Sequence, residues 1–181
     1  MGDLARTRGG RPARLPWTSG VEVPFRYTYP LDHLVQAFKF HRDLAALTVC
    51  STLLKSNVSD YSQWADRVVA IPLSRSRYAR RGFNQAAVLA AAVAAEQGMY
   101  FDGEALRRRR GGIAQSRLPA ATRRANVRDA FAASSHVRGQ RILLVDDVVT
   151  TGATVSEAAR TLVRAGAREV RIVALAFSER P

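Results

Sequence analysis

Three compact apolar runs, RVVAIPL (67–73), RILLVDD (141–147) and VRIVALAF (170–177), constrain this chain more than any other feature. Each lacks the polar alternation of a strand with one wet face, so each predicts a strand buried on both faces, as in a parallel sheet. Parallel strands need long crossovers, and the intervening sequence supplies them. NQAAVLAAAVAAEQG (84–98) reads as a helix, with Asn84 as its N-cap and Gly98 as its stop, and TVSEAARTLVRAGA (154–167) reads as another. Upstream, LDHLVQAFKFHRDLAALTVCSTLL (31–54) has apolar residues at helical spacing, and FRYTY (25–29) alternates like a strand. The stretch SRSRYARRGF (74–83) reads as a basic loop. Strand and helix in alternation predict an α/β architecture, an open and mainly parallel sheet flanked by helices.

A chain of 181 residues has material for one sizeable core. Residues 1–24 are rich in Gly, Pro and Arg without periodicity and read as a mobile basic tail, leaving 25–181 as the folded domain. Cys50 is the single cysteine, which excludes an internal disulfide and a multi-thiolate metal site and makes a reducing cytoplasm the expected location. No apolar stretch approaches the ~18 residues of a spanning helix, so membrane insertion is not expected. The excess of 28 basic over 15 acidic side chains, net +13, makes a field that draws polyanions without choosing among them. All but two of those cations are arginine, an excess that a coding bias would also produce.

Chemistry concentrates in RILLVDDVVTTGAT (141–154). The apolar run ends in Asp146 and Asp147, which places two carboxylates at the carboxyl end of a parallel strand, where open α/β sheets bind ligands. Thr150, Thr151, Gly152, Ala153 and Thr154 then lead into a helix, whose first N–H groups lack internal partners and carry the positive end of the dipole. Small residues let a phosphate approach those amides. A ligand served by both parts carries a phosphate close to vicinal hydroxyls or to a divalent metal, and a ribose 5-phosphate fits. A P-loop NTPase is excluded, because neither Lys39 nor Lys55 follows a glycine as GxxxxGK[ST] demands.

This string resembles the phosphoribosyl pyrophosphate (PRPP) binding motif of type I phosphoribosyltransferases. FKFH with Lys39, IPLSRSRYARRGFNQA (71–86), RRRRGGIAQSRL (107–118) and RRANVRDAF (123–131) narrow the resemblance to the ComF family, which includes GntX-like competence-associated proteins. The likeness spans roughly residues 25–178. It implies a type I phosphoribosyltransferase-like fold with a flexible basic lid loop. By the same resemblance, Asp146 and Asp147 serve the ribose hydroxyls and the metal-linked region, and Thr150 to Thr154 serve the 5-phosphate. Ser74, Arg75, Ser76 and Arg77 fall at the pyrophosphate loop. Lys39, Arg81, Gly82, Phe83, Asn84 and Gln85 match the family signature, while Arg108, Arg110, Gln115, Arg123 and Asn126 fall in the lid at 107–128. Members commonly begin with a four-cysteine zinc module, which this sequence does not contain.

The implied activity is Mg²⁺-dependent transfer of ribose 5-phosphate from PRPP to a nitrogen nucleophile. Breaking the bond from C1 to pyrophosphate leaves an oxocarbenium-like sugar and a highly charged leaving group, so cations on that side and exclusion of water are both needed. No His or Cys nucleophile is required. His33, His41 and His136 read as ordinary surface or half-buried residues, and Cys50 reads as core. An alternative is a non-catalytic module of the same fold that binds single-stranded DNA during natural competence, with a competence helicase as partner. The lid holds eight arginines and no acid, which suits phosphate backbones, but no aromatic on which bases could stack. A homodimer is also among the expected assemblies.

Overall fold

The computed structural model describes residues 15–109 and 129–179. Its main sheet is built from β1 (Gly20–Glu22), β2 (Phe25–Arg26), β3 (Arg67–Ala70), β6 (Arg141–Val149) and β7 (Glu169–Phe177). These five strands are parallel and run in the order β1-β7-β6-β3, with β2 also pairing with β7. The remaining two, β4 (Leu106–Arg108) and β5 (Phe131–Ala133), pair antiparallel as a separate ribbon. Ile142 to Val145 are fully buried, so both faces of β6 are covered, as the continuous apolar run requires.

Helices α1 (Leu31–His41), α2 (Leu44–Lys55), α3 (Arg75–Arg81), α4 (Gln85–Glu96) and α5 (Ala153–Arg164) surround the sheet. Helix α4 packs on β3 and β6, α2 packs on α4 and β7, and α1 packs on α2. Helix α5 covers β6 and β7 and touches β5.

Several boundaries differ from those expected, each for a local reason. The helical pattern of 31–54 is two helices, because Arg42 turns left-handed (φ 57°) and Asp43 accepts the Ala46 N–H at 3.0 Å as the N-cap of α2. The basic stretch expected as a loop is helix α3. Ser74 caps its start by accepting from Arg77 N–H, and Gly82, at φ 84°, closes it by donating to the Tyr78 carbonyl at 2.7 Å. The tail expected over 1–24 gives up residues 15–24 to the folded body. Gly20–Glu22 pairs in register with Arg171–Val173, and Leu15 is buried. Strand β6 also continues to Val149, so the two aspartates lie within the strand and two valines follow them.

Candidate functional site

Asp146 and Asp147 are consecutive strand residues, so their side chains leave opposite faces of the pleat. Each is tied locally: Asp146 Oδ1 accepts the Asp147 N–H at 2.8 Å, and Asp147 Oδ1 accepts the Val148 N–H at 2.7 Å. The remaining Asp147 oxygen, Oδ2, meets Lys39 Nζ from α1 at 2.8 Å, with both side chains mostly covered (15% exposed for Lys39, 13% for Asp147). An ion pair this sheltered is screened far less than one on an open surface. Burial, and then the charge of Asp147, pushes the Asp146 carboxyl up to about 8, against the pull of the Asp147 N–H and of Lys39. The two acids are therefore unlike: Asp147 has a cation in contact, and the Asp146 carboxyl is held above its usual range.

The turn after the strand carries the residues expected to serve a phosphate. Gly152 adopts φ 75° and begins α5 without a side-chain cap of its own. Residues 148–155 and Asp146 line a hollow of about 40 Å³, the scale of one small group. Glycine is required here twice over. The backbone is left-handed, and a Cβ at this position would stand 2.3 Å from Leu15 Cδ2. Thr151 Oγ1 accepts the Ala153 N–H at 3.4 Å, while Thr150 and Thr151 are exposed.

The signature RRGFNQ divides into separate tasks. Asn84 donates from Nδ2 to the Ile71 carbonyl at 3.0 Å, tying the start of α4 to the residue after β3. Gln85 is 1% exposed and accepts from Arg81 Nη1 at 3.0 Å, so it buttresses that guanidinium. Arg81 lies over the Phe40 ring at 5.8 Å. Burial holds its guanidinium below the usual range, and the charge of Asp147 opposes that shift. Gly82 closes α3, and Phe83 packs against the core. Asn84 Oδ1 and Gln85 Nε2 are buried without hydrogen-bond partners among the described residues.

The residues expected at the pyrophosphate loop sit on the first turn of α3. Ser74 Oγ and Ser76 Oγ are 3.2 Å apart, and Arg75 and Arg77 are exposed. Arg108, at the foot of the expected lid, lies over the Phe131 ring at 5.4 Å. Its guanidinium is held below the usual range by burial and then by the charge of Arg77, which places those two cations near each other. Arg110, Gln115, Arg123 and Asn126 lie outside the described residues.

Among the described residues no group of three or more His, Cys, Asp or Glu side chains is arranged to hold a metal by itself. Asp146 and Asp147 would suit a divalent ion that takes its remaining oxygen ligands from elsewhere. Cys50 is fully buried in α2 close enough to sense both Asp147 and Lys39, and burial, followed by the charge of Asp147, pushes its thiol up to about 12. It is core and not a nucleophile. His136, expected as ordinary, bridges Ser134 Oγ (2.7 Å) and the buried Asp102 Oδ2 (2.9 Å), which Arg67 also engages at 2.9 Å. That polar knot braces the end of the sheet where β3 begins.

The sequence pattern alone did not connect Lys39 to Asp147 or Arg81 to Gln85. Only the second pair carried a local signal, the i, i+4 spacing across the α3–α4 junction.

The family model described as "Phosphoribosyl transferase domain" matches residues 43–181. The chain is 38% identical over 162 residues to "DNA utilization protein YhgH" of Salmonella typhimurium, covering 87% of this chain and 71% of that one. It is 30% identical over 158 residues to "Competence protein F" of Haemophilus influenzae, covering 83% and 69%. With "Competence protein ComFC" of Streptococcus pneumoniae it shares 32% over 151 residues, covering 83% and 65%. Among solved structures, glutamine PRPP amidotransferase from B. subtilis, complexed with ADP and GMP, aligns with a TM-score of 0.49 at 21% identity, over 76% of this chain and 30% of that one.

Proposed function

Because this chain belongs to the phosphoribosyl transferase domain family, and within it to the ComF proteins, we propose that it binds PRPP with Mg²⁺ and transfers ribose 5-phosphate to a nitrogen nucleophile. One observation carries this reading: an acid pair on β6, neutralised on one side by Lys39, runs directly into a glycine turn that opens the amino end of α5. Thr150, Thr151, Gly152, Ala153 and Thr154 hold the 5-phosphate through backbone amides and hydroxyls. Asp146 and Asp147 hold the vicinal ribose hydroxyls and orient C1. Lys39 holds the Asp147 carboxylate in place, and Arg81, braced by Gln85, sets the local positive field. Arg75 and Arg77 on α3 and Arg108 at the lid's foot face the developing charge on pyrophosphate, where fixed cations stabilise the transition state most. Asp146 and Asp147 would lie beside Mg²⁺ arriving with PRPP, which would supply charge neutralisation for the leaving group.

Calorimetric titration with PRPP and Mg²⁺ tests the site. The native chain should bind, and the Asp146→Asn/Asp147→Asn variant should lose at least tenfold in affinity, about 1.4 kcal/mol. No binding by the native chain would sink the site and the enzyme together. Pyrophosphate release on adding an acceptor then separates an enzyme from a sensor.

A second reading, single-stranded DNA binding in support of competence and alongside a helicase, draws on a separate observation. Arg75, Arg77 and Arg80 line α3 with no ion pair among the described residues, in a chain of net +13. Relatives named for DNA utilization and competence agree with it. We place either activity in the cytoplasm. Among the described residues no helix is long and apolar enough to cross a membrane.

A further inference from the structure

The carboxyl end of the sheet holds a second, larger hollow that the acid pair and the phosphate turn leave unused. It measures about 480 Å³ and is walled by Tyr27, Thr28, Asp32, Gln36, Phe177 and Glu179 where β2 and β7 end beside α1. Two couplings set its place relative to the acids. Along α1, Gln36 and Asp32 precede Lys39 by three and seven residues, so they share its face, about 4.5 and 10.5 Å away along the axis. Across the sheet, Phe177 is in register with Val149, and Ser178, also in the wall, donates its N–H to the Val149 carbonyl at 2.8 Å. Val149 is two residues beyond Asp147. A sugar held at Asp146 and Asp147 thus has this hollow as its neighbour on the β7 side.

The wall chemistry is unusual for so basic a chain. Asp32 and Glu179 are carboxylates, and Arg26, 3.7 Å from Glu179, is the one cation lining the hollow among the described residues. The hydrogen bond from His33, foremost among its causes, holds the Asp32 carboxyl below its usual range, so it faces the hollow ionised. Gln36 offers both an amide donor and an acceptor. Tyr27 and Phe177, both half-buried, supply aromatic surface against which a flat ring can lie. Hydrogen-bond acceptors at the edge and apolar surface at the face describe a planar molecule with N–H groups on its rim. A carboxylated molecule would meet two like charges and a cation already engaged.

We infer that this hollow is the acceptor site, and that it takes a planar nitrogen heterocycle bearing an exocyclic amino group in preference to a carboxylated one. The inference rests on the PRPP reading above and adds to it the class of acceptor. In the step it serves, a nitrogen lone pair of the heterocycle forms the bond to C1 as the bond from C1 to the pyrophosphate oxygen breaks. That electron pair departs with pyrophosphate, and the surplus proton on nitrogen passes to water.

Saturation-transfer NMR on the full chain, with adenine, cytosine and orotate as probes and with and without PRPP and Mg²⁺, tests this. Transfer onto adenine or cytosine and none onto orotate is expected. Gln36→Leu and Asp32→Asn should each weaken that binding at least tenfold while the heat of PRPP binding stays at the native value. Transfer onto orotate, no transfer onto any probe, or adenine and cytosine signals unmoved in both variants overturns the acceptor assignment. PRPP titration of the same samples separates the two readings. PRPP heat without base binding removes only the acceptor site. Base binding that the variants abolish, without any PRPP heat, removes the PRPP reading and retains the hollow.

Discussion

Asp146 is the residue at which the site costs the fold something. Its carboxyl, pushed up to about 8, binds its proton more tightly folded than unfolded. The unfolded chain therefore releases that proton near the ordinary carboxylate value of ~4, and the folded chain only near 8. Stability from this group is complete below pH ~4 and drains away as pH rises toward 8. Asp146→Asn removes the titration. Its melting temperature should gain steadily on the native value as pH rises from ~4 to ~8.5, while PRPP binding is lost. A variant no more stable than native at the higher pH would mean that Asp146 ionises freely in the fold. The sequence announced this residue through the whole string RILLVDDVVTTGAT, since an acid pair alone would read as well as a helix cap. Lys39 was legible only as a signature position, because its pairing with Asp147 depends on how α1 is laid across the sheet.

At the scale of elements, the turn into α5 and the segment before β1 behave as one unit. Leu15 occupies the space that a side chain at 152 would need, and the backbone there is left-handed. Gly152→Ala should therefore destabilise the chain by about 2–4 kcal/mol through clash and strain together. Adding Leu15→Ala should relieve the clash and leave only the left-handed penalty of about 1 kcal/mol, so the two changes combine less than additively in denaturant melts. Simple additivity would refute the coupling. None of this pairing is visible along the chain, where residues 15–24 carry the composition of a tail. Helix α3 was hidden for a different reason. Its sequence, RSRYARR, is mostly arginine and has no apolar stripe, so no periodicity marked it, although Ser74 and Gly82 stand at its two ends as capping residues should.

For the whole molecule, architecture was the most legible property, because continuous apolar strands separated by helices admit few arrangements other than a covered parallel sheet. Net charge was equally plain but silent on its target, and salt supplies the test. If α3 tracks a phosphate backbone, affinity for a thymidine oligonucleotide should fall log-linearly with salt. Arg75→Gln/Arg77→Gln/Arg80→Gln should then flatten the slope by about 2, at roughly 0.7 per lost phosphate interaction. An unchanged slope would confine those arginines to pyrophosphate or to solvent. The ends of the sheet carry one more consequence. β1 and β2 lie end to end along the outer side of β7, a nine-residue strand of mostly buried apolar residues. Stripped of residues 20–26, β7 would offer a long bare row of amides and carbonyls to any strand that met it, including the same strand of another copy. Those few residues thus cover an edge that would otherwise serve as a template for another strand.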